Sequence, residues 1–148
     1  MSLNLNEIKD DYINLLKHLT DAPDMPLATF VNNIHDIHQR GKIIVCIIDN
    51  KIIGTGTIIY ETKLIHGGKK VGHIEDLVVN PEHRSQGIAS QILKRLVEDS
   101  IKNDCYKVIL DCNYNMIDFY ERNGFTHKNA QMTYHNNLSE SHPLDHLL

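Results

Sequence analysis

The chain has no long apolar run, no surplus of basic residues and no paired cysteine spacing. Apolar stretches such as Ile43 to Ile48 fall far short of the ~20 residues a membrane-spanning helix needs, so no transmembrane segment is expected. Lysine and arginine number 15 against 19 aspartates and glutamates, a formal charge of −4, which speaks against a nucleic-acid surface built on clustered cations. The three cysteines, Cys46, Cys105 and Cys112, are odd in number and lack C-x-x-C spacing, which argues against a disulfide framework and a zinc ribbon. The first residues, Met1 to Glu7, carry neither a basic leader nor an apolar core, so a cytoplasmic location is expected. No Gly-Lys-Ser/Thr triplet exists to make a Walker loop. Gly54-Thr55-Gly56 lacks the third glycine of a dinucleotide fingerprint and lies in strand-like sequence, where glycines mark a bulge or a close backbone approach. What is present, 148 residues with 41% hydrophobic and 23% charged, suits one globular domain over residues 1–135 and a polar tail over 136–148.

Ile8, Tyr12, Leu15, Leu16 and Leu19 repeat at helical spacing and predict an amphipathic helix over 6–19. A second helix is expected from an Asp24 N-cap, with Pro26 in its first turn, to Gly41. β-branched sequence follows: Ile43 to Ile48, a turn at Asp49-Asn50-Lys51, Ile52 to Tyr60, Thr62 to His66, a turn at Gly67-Gly68, then Val71 to Val79. Ile88, Ala89, Ile92, Leu93, Leu96, Val97 and Ile101 form the wide stripe of a helix that packs on a sheet. Tyr106 to Cys112 reads as a strand, Met116 to Arg122 as a short helix with Gly124 as its C′ residue, and Thr126 to His135 as a last strand. The fold class is mixed α/β with a mostly antiparallel sheet. Hairpin-length turns before Val79 are too short for the crossovers of a Rossmann sheet.

The segment Asn80 to Gly87 joins an apolar strand to that amphipathic helix, with small residues at Gly87 and Ala89. Free N–H groups and the positive dipole end make such a helix start a cradle for an anion, and small residues let a pyrophosphate approach the backbone. The plainer reading is an ordinary strand-to-helix connection with Arg84 as a solvated cation. His35-x-x-His38 falls on a predicted helix without a third ligand, and His142 and His146 sit in the tail, so no metal site is expected. Cys112 reads as a buried structural thiol rather than a covalent nucleophile, because nothing beside it in sequence supplies an activating base.

Arg84-Ser85-Gln86-Gly87-Ile88-Ala89 resembles the R/Q-x-x-G-x-G/A acyl-CoA loop of the GNAT acetyltransferase superfamily, and Asp118 to Phe125 resembles its F-Y-x-x-x-G-F segment. Within that superfamily, Gly72-His73-Ile74-Glu75-Asp76, Cys105-Tyr106-Lys107-Val108-Ile109-Leu110-Asp111-Cys112 and Lys63-Leu64-Ile65-His66 are similar to motifs of the glucosamine 6-phosphate N-acetyltransferase family. The similarity runs from about Leu15 to His135.

The resemblance implies the GNAT fold, with a central sheet splayed in the middle, flanked by helices, and a first strand short or absent at Ser2 to Asn6. It implies transfer of acetyl from acetyl-CoA, with no metal, to the 2-amine of glucosamine 6-phosphate by direct attack, in the synthesis of UDP-N-acetylglucosamine. It implies that Leu77, Val78 and Val79 hold the acetyl and pantetheine arm, that the stretch Arg84, Ser85, Gln86, Gly87, Ile88, Ala89, Ser90 holds the pyrophosphate, and that Asn115 stands near the family's CoA-contacting asparagine, whose own place is taken by Met116. Glu75 and Asp111 are the candidates for the amine proton, and Tyr120 for the leaving sulfur, since a phenol stays protonated at neutral pH. Neighbours on an unbroken strand face opposite ways, so Glu75 and Asp76 are not expected to meet the same amine. Thr20, Lys63, Leu64, Ile65, His66, Glu75, Asp76, Tyr106, Lys107 and Asp111 are the implied substrate contacts. His135 stands where close relatives have an arginine, and is a pH-dependent phosphate partner. Tyr106 and Lys107 match a pair that the family presents from the partner subunit, which implies a homodimer with shared sites; the charge balance and short apolar runs add the expectation of no nucleic-acid or membrane partner. An acetyltransferase for another small amine and a non-catalytic acetyl-CoA-binding protein are the alternatives.

Overall fold

Asn4 caps the first helix through a reciprocal pair: its side chain accepts from the Glu7 N–H at 2.9 Å, and its own N–H donates to the Glu7 carboxylate at 3.1 Å. The computed structural model describes residues 4–136, and the expected tail beyond Asn136 lies outside them. Helix α1 spans Leu5–Leu16, so residues 4–6 of the expected short first strand are cap and helix. It stops before Leu19 because the N–H groups of His18 and Leu19 turn to the carbonyls three residues back. Helix α2 spans Leu27–Arg40 behind Pro26. Asp24 is not its cap, because that carboxylate accepts instead from the Met25 N–H and from Lys9 Nζ.

Four strands follow the order β1 (Gly41–Ile48), β2 (Lys51–Thr62), β3 (Lys70–Val79) and β4 (Cys105–Ile109). Asp49 and Asn50, both left-handed, make the two-residue hairpin turn between β1 and β2. The first two pairings are antiparallel and β3 with β4 is parallel, so β4 is reached by a crossover through α3 (Ile88–Lys102). Tyr12, Leu15, Phe30, Ile52 and Val78 form a core between α1, α2 and one sheet face. The other face takes α3, and there the glycines of β2 have their use. A Cβ on Gly56 would stand 2.9 Å from Ile92 Cγ2, and one on Gly54 3.1 Å from Ile92 Cδ1, so both glycines admit the helix closely, as expected.

Two expected strands are not formed. β2 ends at Thr62, and Leu64 and Ile65, 99% and 57% exposed, lead into a 3₁₀ turn at His66–Gly68 whose residues are left-handed. Residues 126–136 contain no strand and are exposed throughout, Met132 at 91%. An extended segment becomes a strand only by pairing, and among the described residues after Cys112 there is no strand. β4 is also shorter than expected, leaving Leu110 to Cys112 outside it.

The described residues fall into two units that divide between Cys112 and Asn113. The second holds a 3₁₀ turn at Tyr114–Met116 and α4 (Ile117–Arg122). Gly124, at φ 91°, ends α4 as the expected C′ residue: its N–H donates to Glu121 O and the Phe125 N–H to Tyr120 O. Among the described residues no helix is long and apolar enough to cross a membrane.

Candidate active site

The pairing of β3 with β4 covers only Lys70 to His73. Beyond His73 that edge of β3 has no strand partner among the described residues, so the backbone groups of Ile74 to Val79 on that side are open. This is the expected splay, and Leu77, Val78 and Val79 lie within it. On the other edge the register with β2 slips: Thr57 faces Glu75 while Thr55 faces Val78, so β3 carries one extra residue opposite Gly56. Asp76 takes the left-handed conformation there, φ 54°.

The bulge corrects the expectation drawn from strict alternation. Thr55 and Thr57 share a face of β2, so Glu75 and Val78 share a face of β3 and Asp76 is not simply turned away from Glu75. Both carboxylates are exposed at the surface yet partly desolvated by it. Desolvation raises the Glu75 pKa above its ordinary value, and the charges of Asp111 and Asp76 raise it further against a smaller opposing effect from His73. Desolvation alone raises Asp76. The Asp76 and Asp111 charges thus both act on Glu75, and a carboxylate with raised pKa is a better proton acceptor near neutrality.

Asn80 ends β3: its N–H donates to Ile53 O at 2.7 Å and its side chain accepts from the Glu82 N–H, opening a 3₁₀ turn at Pro81–His83. Ser85 and Gly87 are both left-handed, and Gly87 opens α3 with no side chain capping the helix. Arg84, Ser85, Gln86 and Gly87 are exposed, and a Cβ on Gly87 would meet nothing within 4 Å. The first-turn N–H groups, at Ile88, Ala89 and Ser90, therefore point at open space with the positive dipole end behind them. Those features fit a pyrophosphate.

His66 and Tyr106 stack with ring centroids 4.1 Å apart, and Lys107 Nζ lies 5.6 Å from the Tyr106 centroid. Lys63 Nζ sits 3.3 Å from Glu61 Oε1, which His73 Nε2 also approaches at 3.3 Å. The nearby His73 and Lys63 hold the Glu61 carboxyl below the usual range. No motif in the sequence marks Glu61; its place two residues before Lys63 is the signal that points to it. Thr20 is exposed on the α1–α2 connection, with its N–H on Leu16 O at 3.1 Å.

In the second unit, Tyr120 makes edge-on contacts with Phe119 and Phe125, at 5.0 and 5.9 Å between centroids, so the F-Y-x-x-x-G-F segment is one aromatic cluster closed by the Gly124 turn. Asn115 lies in the 3₁₀ turn and His135 in the exposed segment.

Cys112 is exposed, not buried as expected, because β4 ends before it. Desolvation and then Asp111 push its thiol upward, which leaves less thiolate at neutral pH. His35 Nε2 pairs with Gln39 at 2.9 Å, and among the described residues no three His, Cys, Asp or Glu side chains converge as metal ligands. A groove of about 580 Å³ lined by Arg40, Lys42, Tyr60, Lys70, Asp99 and Asn103 contains none of the candidate site residues. It lies at the C-terminal end of α3, the opposite end from the cradle.

Residues 6–125 match the model of the Acetyltransferase (GNAT) family. A glucosamine 6-phosphate N-acetyltransferase of Trypanosoma brucei brucei is 36% identical over 125 residues, covering 82% of this chain and 84% of that protein. A probable glucosamine 6-phosphate N-acetyltransferase of Oryza sativa subsp. japonica is 33% identical over 137 residues, covering 88% and 82%. The crystal structure of glucosamine-6-phosphate N-acetyltransferase from Arabidopsis thaliana superposes with a TM-score of 0.85 at 29% identity, covering 93% of this chain and 97% of that one. With the splayed β3 edge and the uncapped start of α3 in place, the chain belongs to the GNAT acetyltransferase family.

Proposed function

We propose that this protein is a glucosamine 6-phosphate N-acetyltransferase, forming N-acetylglucosamine 6-phosphate and CoA in the cytoplasm as a step toward UDP-N-acetylglucosamine. The observation that carries the reading is Glu75 with Asp76 at the bulge of the strand whose open edge leads into the α3 cradle, with the Asp111 charge within reach of Glu75. The relatives named above support the acceptor.

Acetyl-CoA, when bound, supplies an activated acetyl thioester. Ser85 to Ser90 hold its pyrophosphate through backbone N–H groups with Arg84 alongside, Leu77 to Val79 hold its arm through the open edge of β3, and Asn115 adds a side-chain contact. Glu75 takes a proton from the substrate amine at its carboxylate, directly or through water, with Asp111 raising its basicity by charge. The C–N bond forms as the C–S bond breaks, and Tyr120 gives its hydroxyl proton to the departing sulfur. Thr20, Lys63 and His135 contact the sugar phosphate, with Leu64, Ile65 and Asp76 lining the acceptor. Because Tyr106 stacks on His66 of the same chain, with Lys107 over the Tyr106 ring, a homodimer that presents Tyr106 and Lys107 to its partner's site presents His66 with them.

The test is CoA thiol release from acetyl-CoA with glucosamine 6-phosphate, glucosamine and spermidine as acceptors. Strong preference for the phosphorylated sugar is the expected result, and turnover confined to another amine overturns the substrate.

A further inference from the structure

Lys9 is the anomaly of α1. It lies in a helix with open solvent on one side, yet its side chain is only 8% exposed, rare for a lysine unless it is paired. Its ammonium reaches Asp24 Oδ1 at 2.8 Å, the Met25 carbonyl at 3.1 Å and Asp10 Oδ1 at 3.2 Å. Asp24 Oδ1 accepts the Met25 N–H as well, at 2.9 Å, so one cation fixes both the side chain and the backbone of the segment just before α2.

The opposite end of that connection is fixed too, by the Thr20 N–H on Leu16 O. Lys9 and Lys17 are eight residues apart, ~12 Å along a helix axis. The chain therefore leaves the C-terminal end of α1, presents Thr20, and runs back along α1 until Lys9 catches it. Between the two anchors stand only Asp21, Ala22 and Pro23, and proline stiffens the span.

We propose that Lys9, with Asp24, is a positioning residue for the acceptor: the clamp sets the α1–α2 connection so that Thr20 meets the sugar phosphate. This rests on the substrate reading above. Asp10 and Asp24 are 62% and 72% exposed, so removing the lysine leaves both carboxylates hydrated, and methionine refills most of the space its stem occupied. The effect of the clamp is therefore separable from folding.

The test is Lys9→Met, with Asp24→Asn as the variant that leaves the packed side untouched, in steady-state kinetics and hydrogen exchange of the full chain. In both variants the KM for glucosamine 6-phosphate rises, by about tenfold in Lys9→Met, while kcat and the KM for acetyl-CoA stay within about twofold. Amide exchange quickens over Thr20 to Met25 and not in β3, and the double variant is no worse than Lys9→Met because the two residues act as one contact. Unchanged exchange over Thr20 to Met25, or both KM values moving together, overturns the clamp. If the unmodified protein instead acetylates another amine, the substrate reading fails, and exchange with the KM for that amine decides the clamp separately.

Discussion

Glu75 and Val78 lie on one face of β3 although they are three positions apart, where an unbroken strand would set them on opposite faces. The extra residue at Asp76 makes the difference. It lets Val78 stay in the core with Tyr12 and Phe30 while Glu75 reaches the surface, where it feels the Asp111 charge. A single bulge thus serves packing and site at once.

Gly56 sits opposite that bulge and under α3. A Cβ there would meet Ile92 Cγ2 at 2.9 Å, Leu96 Cδ1 at 3.1 Å and Leu77 Cδ1 at 3.2 Å, and a buried, β-branched Ile92 has one strongly preferred χ1 rotamer in a helix. Gly56→Ala is expected to lose ~1–3 kcal/mol, the range of overpacked cores. Urea unfolding checks it: the midpoint falls and the m-value holds.

The raised pKa of Glu75 fixes the direction of a pH effect on activity. A base works in its deprotonated form, so kcat/KM falls as pH drops through the raised Glu75 value, above the ordinary range for glutamate. Asp111→Asn removes one repelling charge, and the acid limb then moves to lower pH. Desolvation, the larger cause, persists, so the limb stays above the ordinary range. Glu75→Gln lowers kcat/KM by ~10²–10⁴-fold, the usual worth of a general base. A pH–rate profile of the three proteins reads both effects, and an unmoved limb in Asp111→Asn removes Asp111 from this role.

Tyr120→Phe keeps the ring contacts to Phe119 and Phe125 and removes only the hydroxyl. If that proton goes to the sulfur, kcat falls by ~10²–10⁴-fold while acetyl-CoA affinity, measured by calorimetry, changes by less than about twofold. Equal activity takes Tyr120 out of the chemistry.

Features set by neighbours in sequence were legible. The period of Ile88 to Ile101, the small residues at the start of α3 and the Gly124 stop are local, and each is where the pattern puts it. Features set by distant partners were not. Nothing in Glu75-Asp76-Leu77 demands a left-handed residue; the bulge arises from pairing with β2. Thr126 to His135 has strand-like composition, but composition does not supply an edge to pair with. Asp24 has the right residue type for an N-cap, and Lys9, fifteen residues earlier, took its carboxylate.

Asp99 gives the last prediction its sign. Its carboxylate, 13% exposed, accepts from Lys42 Nζ at 2.8 Å, from the Tyr60 hydroxyl and from Asn103 Nδ2, which ties α3 to β1 and β2. Burial by itself raises the carboxyl, but the hydrogen bonds from Lys42 and Tyr60 outweigh it and the net pKa is lowered. Desolvation and the same carboxylate push the Tyr60 phenol upward, so it remains the donor at any working pH. The folded chain thus holds the Asp99 proton less tightly than the unfolded chain, whose aspartate titrates near ~3.9. The stabilisation is complete above that value and is lost as pH falls through the lower, folded one. Asp99→Ala leaves the Tyr60 hydroxyl without its acceptor and is expected to cost ~1–3 kcal/mol at pH 7. Lys42→Met, at a half-exposed cation, costs at most ~1 kcal/mol. Urea unfolding at pH 7 and at steps below pH ~4 separates the contributions, because the gap between the parent protein and Asp99→Ala narrows only in the acid steps. A gap that stays constant there assigns the loss to packing instead of to the ionised carboxylate.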